Sequence, residues 1–402
     1  MTAMAPADAQ LLWLSAKVPN DQFLLYIFDG TPRASALDEV RSRAQACEEL
    51  RLRVRNDTRW SYPSWVRGEI DERQFVEHPP MEWQHCLDTL ARADQLDATA
   101  MTWRMHVFAA ESRCVVVIQM AHAVADGTRA AALAGVLLGR PSTLPAIAAP
   151  DRGFLPWQAL MAACAHRQFV RDVRAGLLPA PEGPRPVLSV NAAPSGSSAF
   201  RTLEVRREDL HGPTVTVGAL VAVSEALGRY LAGRGEAITR LGAEVPMASA
   251  QVHARNNFRN IGVGLFPQLN RHARAERIAA ELAAHRRRGA HPAALASQAA
   301  FAAMPAAVLR WGVGRFDPAA RTAAVTGNTV VSSVNRGPAD LSFGGCPVLL
   351  TTGYPALSSM QSLTHGVHGI GGRLAISVHA DTANVDVDAY VDRLSDALGC
   401  QA

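Results

Sequence analysis

The chain has 402 residues, 48% of them hydrophobic and 19% charged, a balance that excludes disordered, collagen-like and disulfide-scaffold classes. At this length a single core stops growing, so about two lobes are expected. The formal charge is only +4 with 36 acidic residues interspersed, which excludes a polycation held on nucleic acid by net charge. Taken in chain order, the opening MTAMAPADAQLLWL lacks the basic and apolar regions of a secretory signal, so a cytoplasmic location is expected. Leu24 to Phe28 reads as a short strand closing at Asp29-Gly30, and Ala36 to Leu52 has helical spacing. Met101 to Ala110 and Cys114 to Met120 are β-rich runs joined through Glu111-Ser112-Arg113, a hairpin by length. The second run is nearly continuous in apolar residues, as an interior strand buried on both faces would be. Thr128 to Leu138 is helical, with Gly139 as its stop.

From about Arg140 to Ser198 prolines and a PSGSS run surround one helical island, Trp157 to Leu178, and the stretch reads as a crossover. Beyond it Phe200 to Val205, Ile261 to Phe266, Thr329 to Val334, Val348 to Thr352 and Leu374 to His379 are strands. Val215 to Leu231, Arg274 to Arg288 and Val387 to Leu398 are helices. Pro292 to Leu309 is weakly charged but broken by Gln298 and Pro305, so no transmembrane span is expected. The expected division is an N-terminal lobe over 1–140, a linker over 141–199 and a C-terminal lobe over 200–402. Cys47, Cys86, Cys114, Cys164, Cys346 and Cys400 show no metal or redox spacing and read as reduced, mostly buried thiols. Lys17 is the single lysine among 40 basic residues, a bias that with the alanine content fits a GC-rich bacterial genome.

One motif stands above this background. His122, Asp126 and Gly127 form HxxxDG between the buried strand and the following helix, a pattern expected by chance about 0.05 times at this composition. A strand that ends in such a loop presents its last side chains to a crevice, where ligands bind. A neutral imidazole there can take a proton from a hydroxyl or amine as it attacks a carbonyl. Asp126 fixes the loop, Gly127 permits a tight turn, and the helix N-terminus supplies free N–H groups. The plainer alternative is a histidine satisfying a turn, with Asp126 as a helix cap. No Ser or Cys lies in a nucleophile elbow.

With this motif the sequence resembles the chloramphenicol-acetyltransferase-like acyltransferases, and among them the bacterial wax ester synthase/diacylglycerol acyltransferase group, whose motif is HHxxxDG. Ala121 stands where the first histidine would be, and His122 matches the second, regarded as catalytic. Met4 to Ala9 with Leu11-Leu12-Trp13 resembles the group's SP-x-DA opening. Thr102-Trp103 lies at its PLW, without the Pro and Leu. Gly218 to Leu231 resembles the helix after TVND, with Thr216-Val217 in place of Asn-Asp. Val245-Pro246-Met247, Asn260 and Pro267 follow its PVSMR, GN and VP segments without the arginine, and Val331 to Pro338 resembles VSNVPGP.

The resemblance implies an α/β (α+β) fold of two lobes, each a mixed sheet with helices, around a central channel. His122 would be the general base for direct attack on an acyl thioester, on coenzyme A or a carrier-protein phosphopantetheine, by an alcohol or amine. No tightly bound cofactor, metal or nucleic acid is implied, while an acyl-carrier protein and peripheral membrane contact stay open as partners. Asp126 would be structural, braced by an arginine, with Arg255, Arg259 and Arg336 as candidates. Trp103, Ser333 and Asn335 would line the substrate channel. Two alternatives stand beside this reading: a stand-alone condensation enzyme using a carrier-bound donor, and a non-catalytic scaffold. His365 and His368 would lie on opposite faces of a strand rather than hold a metal. Gly369 to Gly372 lacks a dinucleotide-cradle spacing. His285 to Arg288 reads as a solvated helix end, with coenzyme A phosphates or an acidic carrier protein as the alternative.

Overall fold

A computed structural model describes residues 2–109, 112–141, 144, 146, 147, 153–249 and 252–399. Cys400 and the Ala110-Glu111 pair at the expected hairpin tip lie outside the described residues. The first part of the chain forms strands β1 (Thr2–Ala3), β2 (Gln22–Asp29), β3 (Leu52–Arg55), β4 (Ser64–Arg67), β5 (Phe75–His78), β6 (Trp103–Ala109) and β7 (Arg113–Met120). Its helices are α1 (Pro6–Ser15), α2 (Ala36–Ala46), α3 (Trp83–Ala91) and α4 (Gly127–Leu137). After α5 (Leu155–Arg174) come β8 (Arg185–Pro186), β9 (Ser198–Val205), α6 (Val215–Ala232), β10 (Gly242–Ala248), β11 (Phe258–Gly264) and the helices α7 (Arg271–Ala290), α8 (Pro292–Ala302) and α9 (Ala306–Arg315). The chain closes with β12 (Ala324–Val325), β13 (Thr329–Asn335), β14 (Ser342–Phe343), β15 (Cys346–Thr352), β16 (Leu363–Ile370), β17 (Arg373–Asp381) and α10 (Val387–Leu398).

Two six-stranded mixed sheets organise these elements. The first runs β14-β15-β2-β7-β6-β5 and the second β11-β10-β13-β16-β17-β9. In the first only β5 and β6 pair in parallel, and in the second β13 runs parallel to both neighbours, β10 and β16. Strand β7 is buried at every residue from Cys114 to Met120, as its apolar run predicts. The long apolar helix α6 is 78% buried against the second sheet, so its hydropathy serves a core. The weakly charged stretch beyond α7 folds as α8 and α9, bent by 97° at the break that holds Pro305.

Two expectations are corrected. The lobes are not divided at 200, because β14 and β15 extend the first sheet beside β2, and Leu309 and Val313 of α9 pack into the first core. The edge of β2 would otherwise present unpaired backbone groups, which β15 satisfies. The helix expected over Ala36 to Leu52 stops at Ala46, because Leu52–Arg55 pairs antiparallel with Ser64–Arg67. Helical spacing could not register a partner so far along the chain.

Candidate active site

Strand β7 delivers the chain to Ala121, and residues His122–Val124 form one 3-10 turn before Asp126 caps α4. The Asp126 carboxylate accepts from Arg129 N at 2.9 Å and from Asn257 N at 3.1 Å. Its own N–H donates to the Arg255 carbonyl at 3.1 Å. Asp126 is thus braced by backbone N–H groups from both lobes, and none of Arg255, Arg259 and Arg336 pairs with it. Arg255 and Arg129 instead share Glu49, whose carboxyl they hold below its usual range against the opposing effect of burial. Arg259 donates to the His285 carbonyl.

The second-lobe segment that meets Asp126 also supplies Asn256, 6% exposed, whose Oδ1 lies 3.0 Å from His122 Nδ1. Its Nδ2 faces only acceptors: Asp8 Oδ1 at 3.0 Å, the His122 carbonyl at 2.8 Å and the Ala123 carbonyl at 3.4 Å. That surrounding sets the amide orientation, so the imidazole donates from Nδ1 and its basic lone pair is on Nε2. Asp8, 1% exposed in α1, also accepts from the backbone N–H groups of Arg255 and Asn256 at 3.1 and 2.9 Å. Burial pushes its carboxyl up to about 6 despite these bonds. His122 is held below its ordinary value chiefly by burial, opposed by its hydrogen bonds and the Asp126 charge. The Phe258 ring stacks beside it, centroids 5.6 Å apart at 27°.

His122 opens on a cavity of about 290 Å³ between the lobes, lined among others by Phe23, Gly127, Pro246, Ser332, Val334, Arg336, Tyr354 and His368. A second, apolar cavity of about 200 Å³ shares Phe23, Tyr354 and Ala356 with it and is walled by Leu25, Leu87, Leu90 and Phe200. A separate cavity of about 370 Å³ lies on the other face of the second sheet, lined by Val245, Met247 and Ser333 with Thr216, Arg259 and Arg286.

The expected site residues separate accordingly. His122 and Gly127 line the cavity and Asp126 shapes the loop beside it. Gly127 has no left-handed backbone. What its missing side chain allows is close packing, since a Cβ there would stand 3.1 Å from Val334 Cγ2. Trp103 does not reach the cavity: it is 1% exposed in the first core, its Nε1 donating to the Leu50 carbonyl at 2.8 Å. Ser333 points to the other face of β13, where Thr216 Oγ1 donates to it at 3.1 Å. Asn335 closes a turn, accepting from Gly337 N at 3.0 Å. Asn256, Ser332 and His368 were missed as site residues, Arg336 was considered only as a brace for Asp126, and Asp8 was noted only as part of an opening motif. His365 and His368 do face opposite ways on β16: His368 faces the cavity, while His365 bonds Thr329 and Tyr390 in the core. Among the described residues no group of three or more His, Cys, Asp or Glu is placed to hold a metal.

No protein-family model matches the chain, and no curated protein does. Solved structures do match. The chain is similar over 99% of its length to the wax ester synthase/diacylglycerol acyltransferase from Marinobacter aquaeolei VT8, covering 98% of that chain at 17% identity with a TM-score of 0.64. It is similar to a variant of the starter condensation domain of rhizomide synthetase solved with C8-CoA and Leu-SNAC, at 14% identity over 99% of this chain and 93% of that one, TM-score 0.61. It is also similar to the first condensation domain of the calcium-dependent antibiotic synthetase in complex with a substrate analogue, at 15% identity over 99% and 94% of the two chains, TM-score 0.61. The two-lobed fold implied by the sequence resemblance is therefore the fold observed.

Proposed function

We propose that this chain is an acyltransferase in which His122 is the general base, moving an acyl group from a thioester to an alcohol or amine. The observation that carries the reading is the chain of contacts from Asp8 through Asn256 to His122 Nδ1, which leaves Nε2 as the basic nitrogen of a histidine lining the interlobe cavity. The acceptor gives its proton to Nε2 as its oxygen or nitrogen bonds the thioester carbonyl carbon, and the carbonyl electron pair moves to oxygen. Collapse of that intermediate breaks the C–S bond, and the leaving thiolate takes the proton back from the imidazolium. No acyl-enzyme or further reactant is needed. The Gly127 N–H in the first turn of α4 and the Ser332 hydroxyl are the donors we assign to the oxyanion.

The neighbouring apolar cavity suits an acyl chain. A neighbour of the same fold bound C8-CoA, which supports this class of donor. Condensation domains are among the similar structures, one of them solved with C8-CoA and Leu-SNAC, which supports a stand-alone condensation enzyme as the second reading. A network of buried polar groups that orients one imidazole nitrogen weighs against a bare scaffold. Incubation with a panel of acyl-CoAs and candidate alcohols and amines, read by mass spectrometry, should give an ester or amide. His122→Ala should lower its formation by on the order of 100-fold or more. Near-normal turnover in that variant would sink the mechanism. A product formed only from a carrier-bound acyl group would decide for the second reading.

A further inference from the structure

Arg336 stands just beyond β13 and lines the cavity with His122, yet it is only 4% exposed. Its hydrogen bonds to the Leu25 carbonyl at 3.3 Å, the Thr352 carbonyl at 2.9 Å and the Thr351 hydroxyl all fall on Nη1, and Nε has no partner. The Tyr26 ring lies against it, centroid 5.2 Å from Cζ. No carboxylate contributes to its surroundings, and Asp340, four residues on, is spent on Arg140 at 2.6 Å. Asp21, the one carboxylate among the described lining residues, accepts instead from Leu96 N, Gln95 and Gln119. A buried cation satisfied only by neutral oxygens is costly, so its persistence calls for an explanation.

His368 adds to the same place. It is 5% exposed, lines the cavity, and its Nδ1 has no hydrogen-bond partner. Burial and the adjacent guanidinium keep the ring neutral. Gly353 shows how close the two groups are: a Cβ there would stand 2.9 Å from Arg336 Nη2 and 3.3 Å from His368 Cε1. Strand geometry gives the relation to the base. Val334 packs against Gly127 at the start of α4, and Arg336 follows two residues later on the same face, about 7 Å along the strand.

We propose that Arg336 and His368 form a subsite for a carboxylate carried by the acceptor, which makes the acceptor a short amino or hydroxy acid whose nucleophile reaches His122. One cation beside a neutral imidazole matches a monoanion, whereas a phosphate dianion would leave uncompensated charge in the cavity. The inference rests on the acyl-transfer reading for the identity of the ligand, but the subsite can be tested without turnover. The probe is N-octanoyl-4-aminobutanoate against its methyl ester, titrated calorimetrically into the His122→Ala protein. The acid should bind about tenfold or more tighter than the ester. Equal binding, or tighter ester, overturns the subsite, and inorganic phosphate displacing the acid at equal concentration overturns the choice of carboxylate. With wild-type protein and octanoyl-CoA, amino acids from glycine to 6-aminohexanoate should outperform their methyl esters by a similar factor in kcat/KM. Arg336→Gln should bring that ratio close to one, while Arg336→Lys should keep part of it. Because Arg336 also ties the lobes together, the comparison of acid and ester on unaltered Arg336 stands even where Arg336→Gln fails to fold. Preferential acid binding without any product would retain the subsite and overturn acyl transfer, whereas product formed equally from acid and ester would do the reverse.

Discussion

The Asn256 amide holds His122 Nδ1 with its oxygen and Asp8 with its nitrogen, so truncating it leaves the ring free to turn and Asp8 short of a donor. Asn256→Ala should lower kcat by about 10- to 100-fold with KM changed by less than about twofold, in steady-state kinetics. An equal rise in KM would instead mark Asn256 as a substrate contact. The pH dependence follows from His122, whose value burial holds down. A general base works in its neutral form, so kcat/KM should rise with pH as the ring loses its proton, and the limb should lie below about pH 6.5. A limb centred above pH 7 would contradict a buried neutral base. At this scale His122 and Asp126 were legible because one strand–loop–helix passage contains both. Asn256 was not, since 134 positions separate it from His122. Trp103 was misread because a motif position was carried over without the packing, which places its indole in the core.

Among the elements, β13 was read from the sequence to within one residue, yet its face came out inverted. Side chains alternate along a strand, so Val330, Ser332 and Val334 line the cavity while Ser333 meets Thr216 behind the sheet. The hydroxyl proposed as an oxyanion donor is then that of Ser332, the one on the cavity face. Ser332→Ala should reduce kcat by about 10- to 100-fold, while Ser333→Ala should leave kcat within about twofold. The opposite ranking would return Ser333 to the channel. Alternation could not be oriented in advance because Ser332 and Ser333 are chemically alike and only packing tells them apart. Strand β10 escaped notice for a related reason, and β16 was read only as the strand carrying His365 and His368, without its bounds. Pro246 interrupts the first, and Gly366 and Gly369 interrupt the second, so β propensity is weak where tertiary pairing supplies the stability.

Over the whole molecule, β15 crosses from the second half of the chain to pair with β2, and the segment around Arg255 to Asn257 crosses to brace the His122 loop. The lobes are therefore coupled through backbone hydrogen bonds, not merely juxtaposed. Native-state hydrogen exchange should show residues 346–352 opening with β2 and β7 at one common free energy. Exchange of that segment with β16 and β17, independent of β2, would contradict the coupling. The sequence by itself determined the two-lobed α/β class, the buried strand β7 and the His122–Gly127 loop, since periodicity and a six-residue motif are local properties. Only the tertiary structure decided which groups surround His122. Asp8, Asn256, Arg336 and His368 come from separate stretches of the chain and meet because two sheets bury their faces and satisfy their edges together, an outcome of summed packing that no local pattern encodes.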